Sequence, residues 1–291
     1  IRASWDADEL SLYGRFDFIL AKDGTPKILE FNADTPTSLL EASVIQWQWK
    51  EDVFPECDQF NGIHEGLVQS WKDIFPKKGE IYFAGALENN EDTGTLQYLA
   101  STAMEAGFST RVLDMQALDL QNGRFFDPAG ELVNRCFKLY PWEWMVDESP
   151  DGCLAEMEWL EPIWKLVMSN KAILATLYEL FPDSPYVLPC YLSRPRSGLF
   201  CKKPVFSREG HNVSVVDIRN WEEHVRIAET EGDYNTGAYV YQEYVEPTVY
   251  SGRYPVIGSW IIGGEAAGIG IRENRMEVTD NLSEFVPHII G

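Results

Sequence analysis

Near the start of the chain, YGRFDFIL (Tyr13 to Leu20) and PKILEFNADTPTS (Pro26 to Ser38) flank the segment AKDGT, centred on Asp23-Gly24. Asp-Gly is favoured in two-residue hairpin turns, where both positions need φ > 0. With that turn, cross-strand partners have numbers that sum to 47. Asp17 faces Glu30, Arg15 faces Asn32 and Ile19 faces Ile28. Side chains alternate along a strand, so all six share one face. Two carboxylates directly opposite have Cβ atoms about 5 Å apart and repel. A divalent cation relieves that conflict, because Mg²⁺ takes oxygen ligands, often carboxylates shared with phosphates. An Arg beside them suits a transferring phosphoryl group. The face therefore predicts a metal–phosphate site, the competing reading being a wet polar face on a surface hairpin. Pro26 cannot donate to a ladder, which places its strand at a sheet edge.

Composition narrows the classes. The chain has 291 residues, enough for two or three lobes around a sizeable core. Its 45% hydrophobic and 13% aromatic content, with ten Trp, marks a folded protein. A net charge of −22 with no basic cluster argues against nucleic acid or an anionic membrane as partner. No run of 18 apolar residues is present. The five Cys include no Cys-x-x-Cys, which predicts reduced thiols and a cytoplasmic setting. The four His show no metal-ligand spacing, so zinc is not expected. The chain opens Ile-Arg-Ala-Ser-Trp, without Met or signal peptide, and reads as part of a longer protein.

Along the chain, Thr35-Pro36 reads as N-cap and N1 of a helix to about Asp52, with Leu39, Leu40, Ser43, Ile45 and Trp47 toward the core. A second helix is expected from about Asn61 to Phe75. Glu80 to Ala86, a helix from about Thr95 to Ala106 and Ser109 to Met115 form a βαβ unit. The loop after its first strand lies where open α/β sheets bind ligands, making Glu88, Glu91, Asp92 and Thr95 candidate substrate contacts. A solvated acidic loop is the alternative. A hairpin is expected around Asp127 to Gly130, then a helix or helix pair from about Glu156 to Phe181, interrupted near Pro162. From Leu199 onward the chain turns to strands, with a hairpin at Gly263-Gly264.

Several features suit a nucleotide. Lys203 lies on a strand that leads into the loop Ser207 to Val213, where Gly210 allows close backbone approach to phosphates. The run YVYQEYVE offers backbone polar groups to an adenine edge. Lys171 could be a phosphate ligand or a helix-end charge, and Arg272 a phosphate ligand or a surface Arg.

The strings YGRFDF, LEFNADTPTSLLE, FKLYPWEWM, SNKAIL, KKPVFSREGHNV, VYQEYVE, IGSWIIGGEAAGIGIREN and SEFVPHII resemble the synthetase domain of the glutathionylspermidine synthase family, including stand-alone bacterial acid–amine ligases. The resemblance spans essentially the whole chain. It implies a mixed α/β (α+β) ATP-grasp-type fold with a small inserted parallel α/β subdomain. The implied division is 1–78 for the metal-binding hairpin and helices, 79–135 for the subdomain and 136–291 for the lobes that clamp ATP. On residues it implies Asp17, Glu30 and Asn32 for Mg²⁺, with Glu30 shared between two ions. Arg15 would contact the γ-phosphate as catalytic residue, and Asp17, Lys171, Lys203, Gly210 and Arg272 would surround the nucleotide. Gln242, Glu243, Tyr244 and Val245 would form the adenine hinge, and Ser38, Glu91, Asp92 and Thr95 would meet substrate. Nothing resembles the amidase domain of the bifunctional members.

The expected reaction is ATP- and Mg²⁺-dependent joining of a small, peptide-like carboxylate to a polyamine-like amine through an acyl phosphate. A small-molecule phosphotransferase and a non-catalytic nucleotide-binding module are the alternatives. Sequence leaves the oligomeric state open.

Overall fold

A computed structural model describes residues 1–208, 210–227, 230, 237–276 and 283–291. Residue 209 of the expected phosphate loop and residues 281 and 282 of the closing segment lie outside them.

The opening hairpin forms from Tyr13–Leu20 and Pro26–Asn32. Its turn is one residue wider than two. Ala21 N–H donates to Thr25 O at 2.9 Å and Gly24 N–H to Ala21 O at 2.8 Å, with Gly24 alone of the loop at positive φ (+82°). This is the three-residue loop in which a glycine supplies the left-handed position. Ile19 consequently pairs with Lys27, not with Ile28. A bulge then inserts Leu29 and restores the expected register, Asp17 opposite Glu30 and Arg15 opposite Asn32. Ile28 leaves the polar face and joins an apolar cluster with Leu174, Ala175, Cys190 and Val240.

Among the described residues, this hairpin is one side of a five-stranded antiparallel sheet in the order Glu284–Val286, Glu265–Asn274, Tyr254–Ile262, Tyr13–Leu20, Pro26–Asn32. Pro26 is thus on an edge strand. The Gly263-Gly264 turn has both residues at positive φ, as a two-residue hairpin turn requires.

Helix formation after the hairpin starts later than Thr35-Pro36 suggests. Ser38, at φ +65°, begins it by accepting from Ala42 N–H at 3.2 Å. The π-helical turn Glu41–Ile45 then rotates the buried face before the α-helix Gln46–Val53. Ile45 and Trp47 are exposed, and Gln46 is buried in their place, donating to Ile269 O at 2.8 Å. Helix Ile63–Ile74 buries Ile63, Leu67, Val68 and Trp71 as its spacing predicts.

Four parallel strands form the second sheet, ordered Ser109–Asp114, Glu80–Gly85, Arg135–Leu139, Glu158–Leu160. Ile81 and Phe83 join the main core with Trp71, Leu96 and Trp260, while Tyr82 and Ala84 pack on the other side against Phe125 and Val133. Burial on both faces explains the unbroken apolar run of this strand. The parallel unit therefore continues past residue 135, and Glu158–Leu160 is a strand where helix was expected. Pro162 stops helix before it, and after it two separate helices form, Lys165–Met168 and Ile173–Leu180. The βαβ helix is Asn90–Glu105, beginning five residues before Thr95, because Asn89 caps it by accepting from Glu91 N–H at 2.9 Å.

A third sheet, antiparallel, runs Cys190–Tyr191, Tyr239–Glu243, Gly198–Pro204, Ser214–Arg219, Glu222–Ile227. Three short strands, Asp119–Gln121, Arg124–Phe126 and Leu132–Val133, complete the described sheets and include the hairpin around Asp127 to Gly130. All five cysteines are free.

Two buried ion pairs fasten the hairpin's open end. Lys165 Nζ donates to Tyr13 O at 2.9 Å and Ala33 O at 3.0 Å, and Glu161 accepts the amides of Leu12 and Tyr13, each at 3.1 Å. Lys138 Nζ lies 2.7 Å from Asp34, which also accepts Trp142 N–H at 2.9 Å. Lys138 and Asp34 side chains are 0% and 1% exposed, so neither charge reaches water. Lys138→Met should cost about 3 kcal/mol in urea unfolding by stranding the Asp34 carboxylate. Adding Asp34→Asn should recover much of that loss; an equally unstable double variant would contradict the pairing.

Candidate functional site

The hairpin face, the third sheet and the helical turns after the hairpin enclose a cleft of about 640 Å³, within the range of small-molecule sites. Arg15, Asp17, Glu30, Asn32, Lys171, Lys203, Gly210, Gln242, Glu243, Tyr244, Val245 and Arg272 all line it. Ser38, Glu91, Asp92 and Thr95 lie on its wall as well. Glu88 is exposed and does not line the cleft. Glu91, Asp92 and Thr95 sit on the helix Asn90–Glu105, not on a loop.

Asp17 is held by two guanidinium groups. Arg15 Nε and Nη2 donate to it at 2.6 and 2.9 Å, and Arg272 Nη2 donates at 2.6 Å. Arg15 also donates to Thr37 O, so its fork is fixed at both ends. Its stem crosses Gly258, the residue paired with Asp17 on the neighbouring strand. A Cβ at position 258 would stand 2.7 Å from Arg15 Cδ, so glycine there is a packing requirement.

Glu30 is held from the other side. Lys171 Nζ lies 3.1 Å from Glu30 Oε2 and donates to Ser207 O at 2.7 Å. Lys203 Nζ donates to Leu29 O at 3.0 Å and Gln242 Oε1 at 2.7 Å, and Gln242 Nε2 donates to Ile28 O at 2.8 Å. The carbonyls that the Leu29 bulge turns outward are thus the ones that anchor the third sheet. Asn32 Nδ2 sits between the carboxylates, 3.3 Å from Asp17 Oδ2 and 3.3 Å from Glu30 Oε1.

The repulsion expected between Asp17 and Glu30 is therefore already offset by protein cations, and a metal ion is not needed to hold the hairpin together. Burial would raise the Glu30 carboxyl, but Lys171, Lys203 and Arg15 outweigh it and bring it down to about 2. Burial pushes the Lys203 ammonium down, as does neighbouring Lys171. Among the described residues no group of three or more His, Cys, Asp or Glu could hold a metal ion. The two carboxylates are hard donors that fit Mg²⁺ shared with phosphates, which needs only one or two carboxylates from protein; Asn32 turns its NH₂ toward them, so its amide oxygen would join only after the amide flips.

On the third sheet, Glu243 N–H donates to Pro189 O at 2.7 Å and Tyr244 N–H to Leu199 O at 2.9 Å. Pro189 has no N–H to return the bond, so it leaves the Glu243 carbonyl without that ladder donor. The hinge is thus partly committed to the sheet, more than the sequence alone implies.

Three contributors went unnamed in the sequence reading. Arg208 spans the cleft rim, donating to Thr35 Oγ1 at 2.6 Å and Glu143 Oε1 at 2.5 Å and lying over the Trp144 ring at 5.8 Å. Glu143 is 65 residues away in sequence, so only its place in FKLYPWEWM could have drawn attention to it. Thr37, whose carbonyl fixes Arg15, acts through its backbone and carries no side-chain signal.

A carboxyl with a lowered folded pKa gives stability that is present above its unfolded value, about 4.3, and lost as pH falls through the folded one. The stability gap between the parent chain and Glu30→Gln, measured by urea unfolding, should hold from pH 7 to about 5. It should close between about 4.5 and 2. A gap unchanged to pH 2 would mean Glu30 is not paired as described.

Known proteins resemble this chain in sequence and in fold. The family model described as "Glutathionylspermidine synthase preATP-grasp" matches residues 1–291. A Haemophilus influenzae protein named "Putative acid--amine ligase" is 39% identical over 303 residues, covering 99% of this chain and 77% of that protein. Trypanothione synthetase of Crithidia fasciculata is 28% identical, covering 98% of this chain and 48% of its own length. The bifunctional glutathionylspermidine synthetase/amidase of Escherichia coli is 26% identical, covering 100% and 51%. The chain thus spans about half the length of these last two relatives. In fold it matches a Methylobacillus flagellatus structure titled "Putative gamma-glutamylcysteine synthetase", with TM-score 0.66 at 10% identity over 99% of this chain and 82% of that one. A glutathione-synthetase-like effector of Globodera pallida in its apo form matches with TM-score 0.59 at 11% identity, over 97% and 77%. The chain belongs to the glutathionylspermidine synthase preATP-grasp family.

Proposed function

We propose that this member of the glutathionylspermidine synthase family is an ATP- and Mg²⁺-dependent carboxylate–amine ligase of ATP-grasp type. The single observation that carries the reading is the cleft floor. Arg15, Arg272, Lys171 and Lys203, from separate strands and a helix end, converge around Asp17 and Glu30 in one cavity. These four cations against two carboxylates gather positive charge at the cleft floor, in a chain whose net charge is −22, while Glu41, Glu91, Asp92 and Glu243 line the rest of the cleft.

In this reading Asp17, Glu30 and Asn32 would hold Mg²⁺, which would supply charge to neutralise the phosphates. Lys171 and Lys203 grip phosphates, Arg272 adds a further contact, and Gly210 brings the covering loop close. The Glu243 carbonyl accepts from the adenine amino group, beside Gln242, Tyr244 and Val245. The acid's carboxylate attacks the γ-phosphorus and ADP leaves, giving an acyl phosphate. The amine then attacks the acyl carbon, the C–O bond to phosphate breaks, and the amine proton leaves with phosphate. Arg15, pre-fixed by Asp17 and Thr37, stabilises the charge that develops in the transfer. Excluding water protects the acyl phosphate from hydrolysis.

The relatives' names include synthetases of glutathionylspermidine and trypanothione. On that basis the acid is peptide-like and the amine polyamine-like, meeting the wall at Ser38, Glu91, Asp92 and Thr95. The free cysteines fit a cytoplasmic setting.

Asp17→Asn and Glu30→Gln should each lower amine-dependent ADP release by about 100-fold or more in a screen of acids against polyamines. Unchanged turnover in both would sink the assignment, and a phosphorylated end product in place of an amide would move the protein to the phosphotransferases. Because two carboxylates alone are a weak Mg²⁺ site, calorimetry should show Mg²⁺ binding with ATP and none with Mg²⁺ by itself. Tight binding of bare Mg²⁺ would contradict the shared site.

A further inference from the structure

The cleft holds one half-buried carboxylate that neither the nucleotide nor the metal face uses. Glu41 opens the π turn Glu41–Ile45 and lines the cleft just after Ser38. The residues on either side of it are anchored elsewhere. Leu40 packs against Gly94 of helix Asn90–Glu105, and Ala42 against Gly270. Ser43 is buried and donates to Leu39 O at 2.7 Å. Glu41 is thereby left on the open side of the turn.

Asp17 and Glu30 are held by protein cations, whereas the Glu41 carboxylate has no hydrogen bond or ion pair among the described residues. Arg15 is near enough to feel it: burial opposes the Arg15 charge, and Asp17, Glu30 and Glu41 together more than restore it. That guanidinium nevertheless spends its hydrogen bonds on Asp17 and on Thr37 O. Drawing a carboxylate partly out of water without a donor has a cost, which a ligand carrying N–H groups would remove. ATP, phosphate and the acid's carboxylate are anions that Glu41 repels. The amine brings both positive charge and N–H donors. Its nitrogen must also reach the acyl carbon, beside the phosphoryl group that Arg15 faces, and Glu41 lies on that side of the cleft.

We propose that Glu41 receives the reacting amine, accepting a hydrogen bond from its nitrogen and then its proton. The proposal rests on the ligase reading. An alkylammonium resembles the Lys side chain, so at pH 7 only about one molecule in 2,500 is a free amine. The cations of the cleft floor disfavour a further positive charge, which eases loss of that proton. One proton passes from the ammonium nitrogen to Glu41, and the freed electron pair forms the C–N bond. The C–O bond breaks toward phosphate, and the second proton leaves with phosphate. Glu41 gives its proton to water once the products have gone.

The acid and polyamine that release most ADP in the screen above are the probes, used with the whole chain. Glu41→Gln should lower kcat/KM for the polyamine about 100-fold or more, within the range for a general base. KM for ATP and for the acid should stay within about twofold of the parent, and Glu41→Asp should recover part of the loss. Hydroxylamine is uncharged at neutral pH and needs no carboxylate to free its electron pair. Hydroxamate formation from the same acid should therefore run close to the parent rate in Glu41→Gln. Thermal melting should match the parent, because Glu41 bonds to no described side chain. An unchanged kcat/KM for the polyamine would overturn the proposal. So would a hydroxamate loss as large as the amide loss, which would move Glu41 to phosphoryl transfer, or a raised KM for the acid alone. Absence of ADP and hydroxamate with the parent chain would count against the ligase reading instead. Calorimetry with spermidine alone would still report on Glu41: the parent should bind at least about tenfold more tightly than Glu41→Gln. Equal or absent binding would overturn the assignment.

Discussion

Asp17 and Glu30 stand opposite each other on adjacent strands, and the rest of the molecule is arranged around that juxtaposition. Like charges in this position repel, and the fold answers with cations from separate parts of the chain. Arg15 comes from the same strand, Arg272 from two strands along the same sheet, and Lys171 from the turn before a helix. Lys203 arrives from the third sheet and is tied to the hairpin through Leu29 O. One electrostatic conflict thus draws three parts of the chain to a single cleft. Removing a cation would leave a buried or half-buried carboxylate under-compensated, which is costlier than losing an exposed pair.

The hairpin's irregularities serve this assembly. A regular two-residue turn would have given an unbroken ladder from tip to base. The three-residue loop and the Leu29 bulge give the same register at the charged end but turn Ile28 and Leu29 differently. Ile28 packs under the third sheet, and the Ile28 and Leu29 carbonyls bind Gln242 and Lys203. Bulges that re-aim side chains beside a site are a recurring device. Here the bulge couples the metal-type face to the nucleotide-type sheet. At the other end, Glu161, Lys165, Asp34 and Lys138 fix the strands by burying charge inside paired networks. Such networks set geometry more than they add net stability.

Much of this was legible from local sequence. The register of Arg15, Asp17, Glu30 and Asn32 was expected from alternation and holds because the Leu29 bulge offsets a turn one residue wider than expected, and the helix Ile63–Ile74 followed from apolar spacing. Misreadings occurred where tertiary contacts override local preference. Gln46 displaces Ile45 and Trp47 from the core because a π turn shifts the helix face, which no 3.6-residue pattern reveals. Glu158–Leu160 has too few residues for a period and becomes a strand because Arg135–Leu139 offers an open edge. Asn89 was an available cap that the acidic run after it obscured.

By itself the sequence determined that Arg15, Asp17, Glu30 and Asn32 share a face, because strand alternation is a local rule, and its long strings identified the family; the two-residue Asp-Gly turn and the place of Ile28 on that face were overturned by a three-residue loop and the Leu29 bulge. Only the tertiary structure decided how the Asp17–Glu30 repulsion is met. Sequence spacing suggests a cation from solution, whereas folding supplies Arg272, Lys171 and Lys203 from 141 to 255 residues away. Tertiary structure alone also revealed Arg208 against Glu143 and the half-buried Glu41 in the cleft. The physical reason is that hydrogen-bond satisfaction and charge compensation are properties of a packed interior, and chain-distant groups meet only there.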